Sequence, residues 1–186
     1  VCLMPTREAQ IDDVYSYNGS LLTVNQNLVL ASFSGPSTAV LSVDDADEDW
    51  QLDPGEAAQI NGTDVSAAYS GTSSIGIDLG VLTVNLSDSV AVNVYETVSS
   101  GSGQISSFVE YPDGDRAQLL EGLVSQVLAV PGIRGIARLL NIDDIAEYVE
   151  QNAVLTFNLE VGAEIPICFA RGTLIATHRG SKPIES

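Results

Sequence analysis

The stretch IGIDLGVLTVNLSDSVAVNVYETV, residues 75–98, decides how this chain folds. Ile75, Ile77, Leu79 and Val81 share one parity, and Leu82, Val84 and Leu86 share the other. Successive side chains of a strand point to opposite faces, so the alternation predicts extended backbone, and the one-residue change of parity predicts a bulge or bend at residues 80–82. Ser87, Asp88 and Ser89 predict a turn into a further strand carrying Val90, Val92 and Val94.

The same pattern extends through residues 14–111, as short runs rich in Val, Leu, Ile and Thr, punctuated by Gly, Asn, Asp, Ser and Pro. Residues 14–17 and 21–24 flank Asn18-Gly19, a pair that tolerates positive φ and so predicts a tight hairpin. Residues 28–33 and 39–43 flank Ser34-Gly35-Pro36-Ser37, which predicts another turn. Asn61-Gly62-Thr63 reads as a tight turn too, although it and Asn18-Gly19-Ser20 and Asn85-Leu86-Ser87 also match the glycosylation sequon. Strands at this spacing predict a mainly β fold, an antiparallel sandwich or open barrel.

The character changes at Tyr111-Pro112-Asp113-Gly114-Asp115, a turn with a candidate helix cap. Leu119, Leu120, Leu123, Val124, Val127 and Leu128 recur at helical spacing, which predicts an amphipathic helix over residues 115–129. Pro131-Gly132 ends it. Residues 133–140 read as a second short helix, and Asp143 or Asp144 caps a third that ends near Gln151. Val154, Thr156 and Leu159 return to a strand that leads through Gly162 and Pro166 to Cys168. The expected organisation is a flexible segment at residues 1–13, a β-rich domain with a helical insertion at 14–167, and a distinct final segment at 168–186.

Asp and Glu number 25 against 7 Lys and Arg, a formal charge of -18. Such a surface repels nucleic acid phosphates and anionic lipid, so neither is an expected partner. No apolar run approaches the ~20 residues of a membrane-spanning helix, and residues 1–10 lack the charged-then-apolar order of a cleavable export signal. With two cysteines, Cys2 and Cys168, the chain is not a disulfide scaffold, and their spacing leaves open whether they pair.

The densest carboxylates are Asp44, Asp45, Asp47, Glu48 and Asp49, followed by Asp53 and Glu56. Oxygen ligands at alternate positions suit calcium, so Asp44, Asp45, Asp47 and Asp49 are the candidate metal ligands. The glycine and terminal glutamate of an EF-hand are not at their offsets, and a solvated acidic turn before Trp50 is the plainer reading. No nucleophile-elbow serine, phosphate-cradling glycine loop or zinc-ligand spacing occurs, and apart from calcium no cofactor is expected.

The final segment reads Cys168-Phe169-Ala170-Arg171-Gly172-Thr173-Leu174-Ile175-Ala176-Thr177-His178-Arg179-Gly180-Ser181-Lys182-Pro183-Ile184-Glu185. Read from its residues, this is a thiol at a strand end, a glycine turn, an alternating strand, a second glycine turn and a Pro-Ile-Glu exit. An unpaired cysteine in such a place is ordinarily a small buried hydrophobe. The string resembles the opening of Hint (hedgehog/intein-type) self-processing domains, particularly those of secreted bacterial proteins. That resemblance implies that Cys168 is a nucleophile that attacks the Ile167 carbonyl and converts the amide to a thioester, a task that suits a thiolate near neutral pH. The later Thr-x-x-His element of the family does not occur between Cys168 and Ser186, so residues 1–186 are expected not to cleave themselves. His178 reads as an exposed turn residue.

The resemblance implies an acidic, exported passenger module, extracellular or at the cell surface, followed by the start of a processing domain. A different class, a non-enzymatic binding or adhesion module with a protein or surface partner, fits the same composition, as does a homo-oligomer assembled through strand edges.

Overall fold

The computed structural model describes residues 6–22, 28–161, 165–166, 174–177 and 180–183. The first strands are β1 (Thr6–Asn18), β2 (Leu28–Val29), β3 (Ser34–Asp44), β4 (Gln51–Leu52) and β5 (Ala58–Ile60). The long hairpin β6 (Thr63–Asp78) and β7 (Thr83–Val98) and then β8 (Ile105–Glu110) precede the helices α1 (Arg116–Ala129), α2 (Ile133–Leu139) and α3 (Ile145–Asn152). The chain returns to strand in β9 (Val154–Val161), β10 (Ile165–Pro166), β11 (Leu174–Thr177) and β12 (Gly180–Pro183). Over the described residues the fold is mainly antiparallel β with three short helices, as the alternation and the helical spacing of residues 115–151 predict.

Eight strands form one sheet in the order β2-β9-β6-β5-β3-β1-β8-β7, and β7 also pairs with β6. The ladder therefore returns on itself, and β6, β5, β3, β1, β8 and β7 close a hydrogen-bonded circuit that leaves few open edges. Strand β7 shows why residues 92–97 are buried without a break: Val92 and Val94 face the core covered by α1, while Tyr95 faces a second core with Leu41, Ile60 and Val14. Helix α1 lays Leu119, Leu123 and Val127 over the first core, at the spacing read from the sequence.

Local details depart from the sequence reading. Of the bulge or bend expected at residues 80–82 the structure has the bend, which is the β6–β7 hairpin turn: Leu79 N donates to the Leu82 carbonyl at 2.8 Å, and Gly80 takes a φ of 81°. The turn expected at Ser87, Asp88 and Ser89 is instead absorbed inside β7, where the pairing jumps from Ser74↔Ser89 to Gly76↔Asn85. Among the described residues the Asn18-Gly19 hairpin does not form: Leu21 and Leu22 lie in a turn and β1 pairs with β3 and β8, while residues 23–24 of the expected return strand lie outside the described residues. Ser20 Oγ and Leu21 N both donate to the buried Glu96 carboxylate, at 2.6 and 3.1 Å, which draws this segment away from a return strand.

Residues 34–37 are the start of β3 rather than a turn, with a cis Gly35–Pro36 bond. Of the strand expected at 28–33 only Leu28 and Val29 pair as strand, since a 3-10 turn takes Leu30–Ser32. Strand β1 begins at Thr6 rather than Val14 and pairs with β3 from Thr6↔Asp44 onward, within the segment expected to be flexible. By contrast Asn61 and Gly62 both take positive φ, 50° and 77°, in the tight turn expected there. Of the two candidate caps of α3, Asp144 accepts from Glu147 N at 3.1 Å. Asp115 stands at the N-cap of α1, but its side chain makes no capping bond.

Candidate functional site

The acidic run of residues 44–56 connects β3 to β5 and carries the short strand β4. Its scaffold is made of side chains bonding to backbone, the ordinary use of Asp in turns. Asp45 is wholly buried: its carboxylate pairs with Arg7 Nε at 3.2 Å and accepts from Asp49 N at 3.1 Å and Trp50 N at 3.3 Å. The Arg7 guanidinium lies 4.0 Å from the centre of the Trp50 ring, so one arginine closes the corner by charge and by stacking. Glu56 ties the far side, accepting from Ala46 N at 2.8 Å and Asp53 N at 3.0 Å. Glu48 and Trp50 both take positive φ, 63° and 66°, a cost that these bonds hold in place.

This geometry sorts the four candidate metal ligands. Asp45, Asp47 and Asp49 bring one carboxylate oxygen each to within 4.8 Å of one another. Asp44 is not of the group, because it lies at the end of β3 and accepts from Thr6 Oγ1 at 3.1 Å. Asp45 is already engaged by Arg7, and Asp49 accepts from Gln51 N and Gln51 Nε2 at 2.9 and 3.1 Å. Asp47 is exposed, and partial desolvation, followed by the Asp49 charge, raises its carboxyl above the ordinary range. The arrangement can attract a cation, with Asp47 and Asp49 as its accessible oxygens.

The corner also receives the chain on its way to Cys168. Strand β10 pairs antiparallel with β4 through Ile165↔Leu52 and Pro166↔Gln51, and Ile165 is buried in the second core. The candidate nucleophile Cys168 and the candidate scissile carbonyl of Ile167 lie outside the described residues, as do Cys2 and His178. Beyond them β11 and β12 pair with each other, from Leu174↔Pro183 to Thr177↔Gly180.

Sequence reasoning missed the buried polar groups of the sheet and of α1. Glu110 accepts from Asn93 Nδ2 at 3.1 Å and from the Tyr95 hydroxyl at 3.0 Å, and burial raises its pKa against those two bonds. Arg116, at the first turn of α1, is buried against aromatic rings. The available signal was a basic residue at a helix start, where the dipole favours acids. Among the described residues no single helix is long and apolar enough to cross a membrane. No protein-family model, curated protein or solved structure matches the chain.

Proposed function

We propose that residues up to Ile167 are the passenger of an autoprocessing protein of the Hint type, exported to the cell surface or beyond, and that Cys168 attacks the Ile167 carbonyl once a complete processing domain follows. The thiol adds to the carbonyl carbon and the amide nitrogen leaves as the Cys168 amine, so an N-to-S acyl shift forms a thioester without an added reagent. The observation that carries the reading is the arrangement around the junction. Pairing of β10 with β4 anchors the chain to the body upstream of Ile167, while β11 and β12 form a two-stranded sheet of their own, with β11 lying beside β1. An upstream anchor followed by a hairpin with its own hydrogen-bonded pairing supports a release step between the two.

Peptide mapping of the protein from its own host tests this. Trypsin cuts after Arg138 and Arg171, so a processed passenger yields a peptide 139–167 and an intact junction yields 139–171. The expected result is the shorter peptide, lost in Cys168→Ala. Recovery of 139–171 alone would end the proposal.

One observation favours a second reading, a calcium-stabilised binding module: the convergence of Asp45, Asp47 and Asp49. A cation that binds only the folded state raises the melting temperature in proportion to the logarithm of its concentration. Calcium at millimolar concentration raises it under this reading, and D47N/D49N removes the rise; an unmoved melting curve refutes it.

A further inference from the structure

Arg116 is 7% exposed, yet among the described residues no carboxylate lies within ion-pair distance of it. Its guanidinium centre lies 3.5 Å from the Tyr15 ring centre and 5.3 Å from that of Phe33. Nη2 reaches the Leu30 carbonyl only at 3.5 Å, and Nη1 is buried with no hydrogen-bond partner. A buried arginine with an unmatched N–H is costly, and in a chain with an excess of 18 negative charges a missing counterion is the more unexpected. The position compounds the cost, since the first turn of α1 has a partial positive charge and Asp115 places no side chain on its free N–H groups.

A cavity of about 360 Å³ opens against this group, lined by Arg116 and Ala117 from α1 and by Tyr15, Leu30, Phe33 and Leu120. That volume lies at the small end of the roughly 300–1,000 Å³ of ligand sites. The walls are apolar and aromatic, and the guanidinium and helix N-terminus form the cationic end. Tyr15 covers a face of the guanidinium, which leaves in-plane N–H groups for an acceptor. Glu150, exposed on α3, stands at the rim. A dianion facing one guanidinium, one rim carboxylate and an acidic protein is disfavoured, so the charge that fits is single.

We propose that this cavity is a binding site for a small monocarboxylate with an apolar body, its carboxylate on Arg116 and the first turn of α1 and its body against Tyr15, Phe33 and Leu120. This is independent of the processing step at Cys168. Isothermal titration of residues 1–186 with benzoate, benzamide and inorganic phosphate tests it. Benzoate is expected to bind saturably, and benzamide and phosphate at least about tenfold more weakly, the loss that accompanies an unmade charged hydrogen bond.

Arg116→Met abolishes benzoate binding, with circular dichroism checking that the variant folds. Glu150→Gln, at an exposed rim position, keeps the proposal testable if Arg116→Met does not fold, and it tightens benzoate binding severalfold by removing a like charge. Absence of saturable benzoate binding, or equal binding of benzamide or phosphate, overturns the proposal. So does unchanged or weaker binding in Glu150→Gln, which would mean that the bound carboxylate does not lie near this rim.

Discussion

Removal of the Asp45 carboxylate tests the account of the acidic corner most directly. In Asp45→Ala the Arg7 Nε–H at 3.2 Å loses its acceptor, and so do Asp49 N–H at 3.1 Å and Trp50 N–H at 3.3 Å. Breaking a buried ion pair from one side costs about 3–5 kcal/mol, and a stranded N–H adds about 1–3 kcal/mol where water cannot reach it. The Arg7 side chain is 11% exposed, so the ion-pair figure applies, but Asp49 and its loop are exposed and water can satisfy that amide. The expected loss is therefore near the low end, about 3 kcal/mol.

Glu48→Ala, by contrast, removes a carboxylate that is 67% exposed and 3.9 Å from Arg7, and is expected to cost under about 0.5 kcal/mol. Urea denaturation followed by circular dichroism measures both, and an unchanged slope with denaturant shows that stability alone has moved. Trp50, the one tryptophan, lies 4.0 Å from Arg7, and its fluorescence should shift in Asp45→Ala before global unfolding. A loss below about 1 kcal/mol would refute the reasoning, because it would mean that the buried pair contributes no more than a surface one.

Glu110 gives a pH signature. Burial raises its pKa in the folded state, so its protonated form is the better tolerated one, and its contribution is full below the unfolded carboxylate value and lost as pH rises through the folded value. Relative to Glu110→Gln, the native protein should lose stability as pH climbs from about 4 toward neutrality; parallel pH profiles would exclude this. Gly71→Ala would drive a Cβ into the Asn158 carbonyl where β6 meets β9, and should cost at least about 2 kcal/mol in denaturation. Gly135→Ala, inside α2 with open space around the added atom, should stabilise by about 0.5–1 kcal/mol in the same assay. Leu123→Ala removes a fully buried side chain of α1 and should cost about 2–5 kcal/mol, read as a lower urea midpoint.

The sequence determined what depends on neighbours along the chain. The period of Leu119, Leu123 and Val127 defined α1, Asp144 capped α3 within three residues of its partner Glu147, and Asn61-Gly62 specified its turn by tolerance of positive φ. It also grouped the carboxylates of the acidic corner. Tertiary structure decided everything that requires a distant partner. Asp44 and Asp45 are adjacent and chemically identical, yet only Asp45 meets Arg7, because the β1–β3 pairing brings residue 7 to that corner. Likewise Asn18-Gly19 carries the local signal of a hairpin, but Glu96, 76 residues from Ser20, holds the following segment elsewhere. Periodicity is local, while hydrogen-bond partners and the burial of charge follow from which strands meet, so a patterned sequence specifies its elements before it reveals its sites.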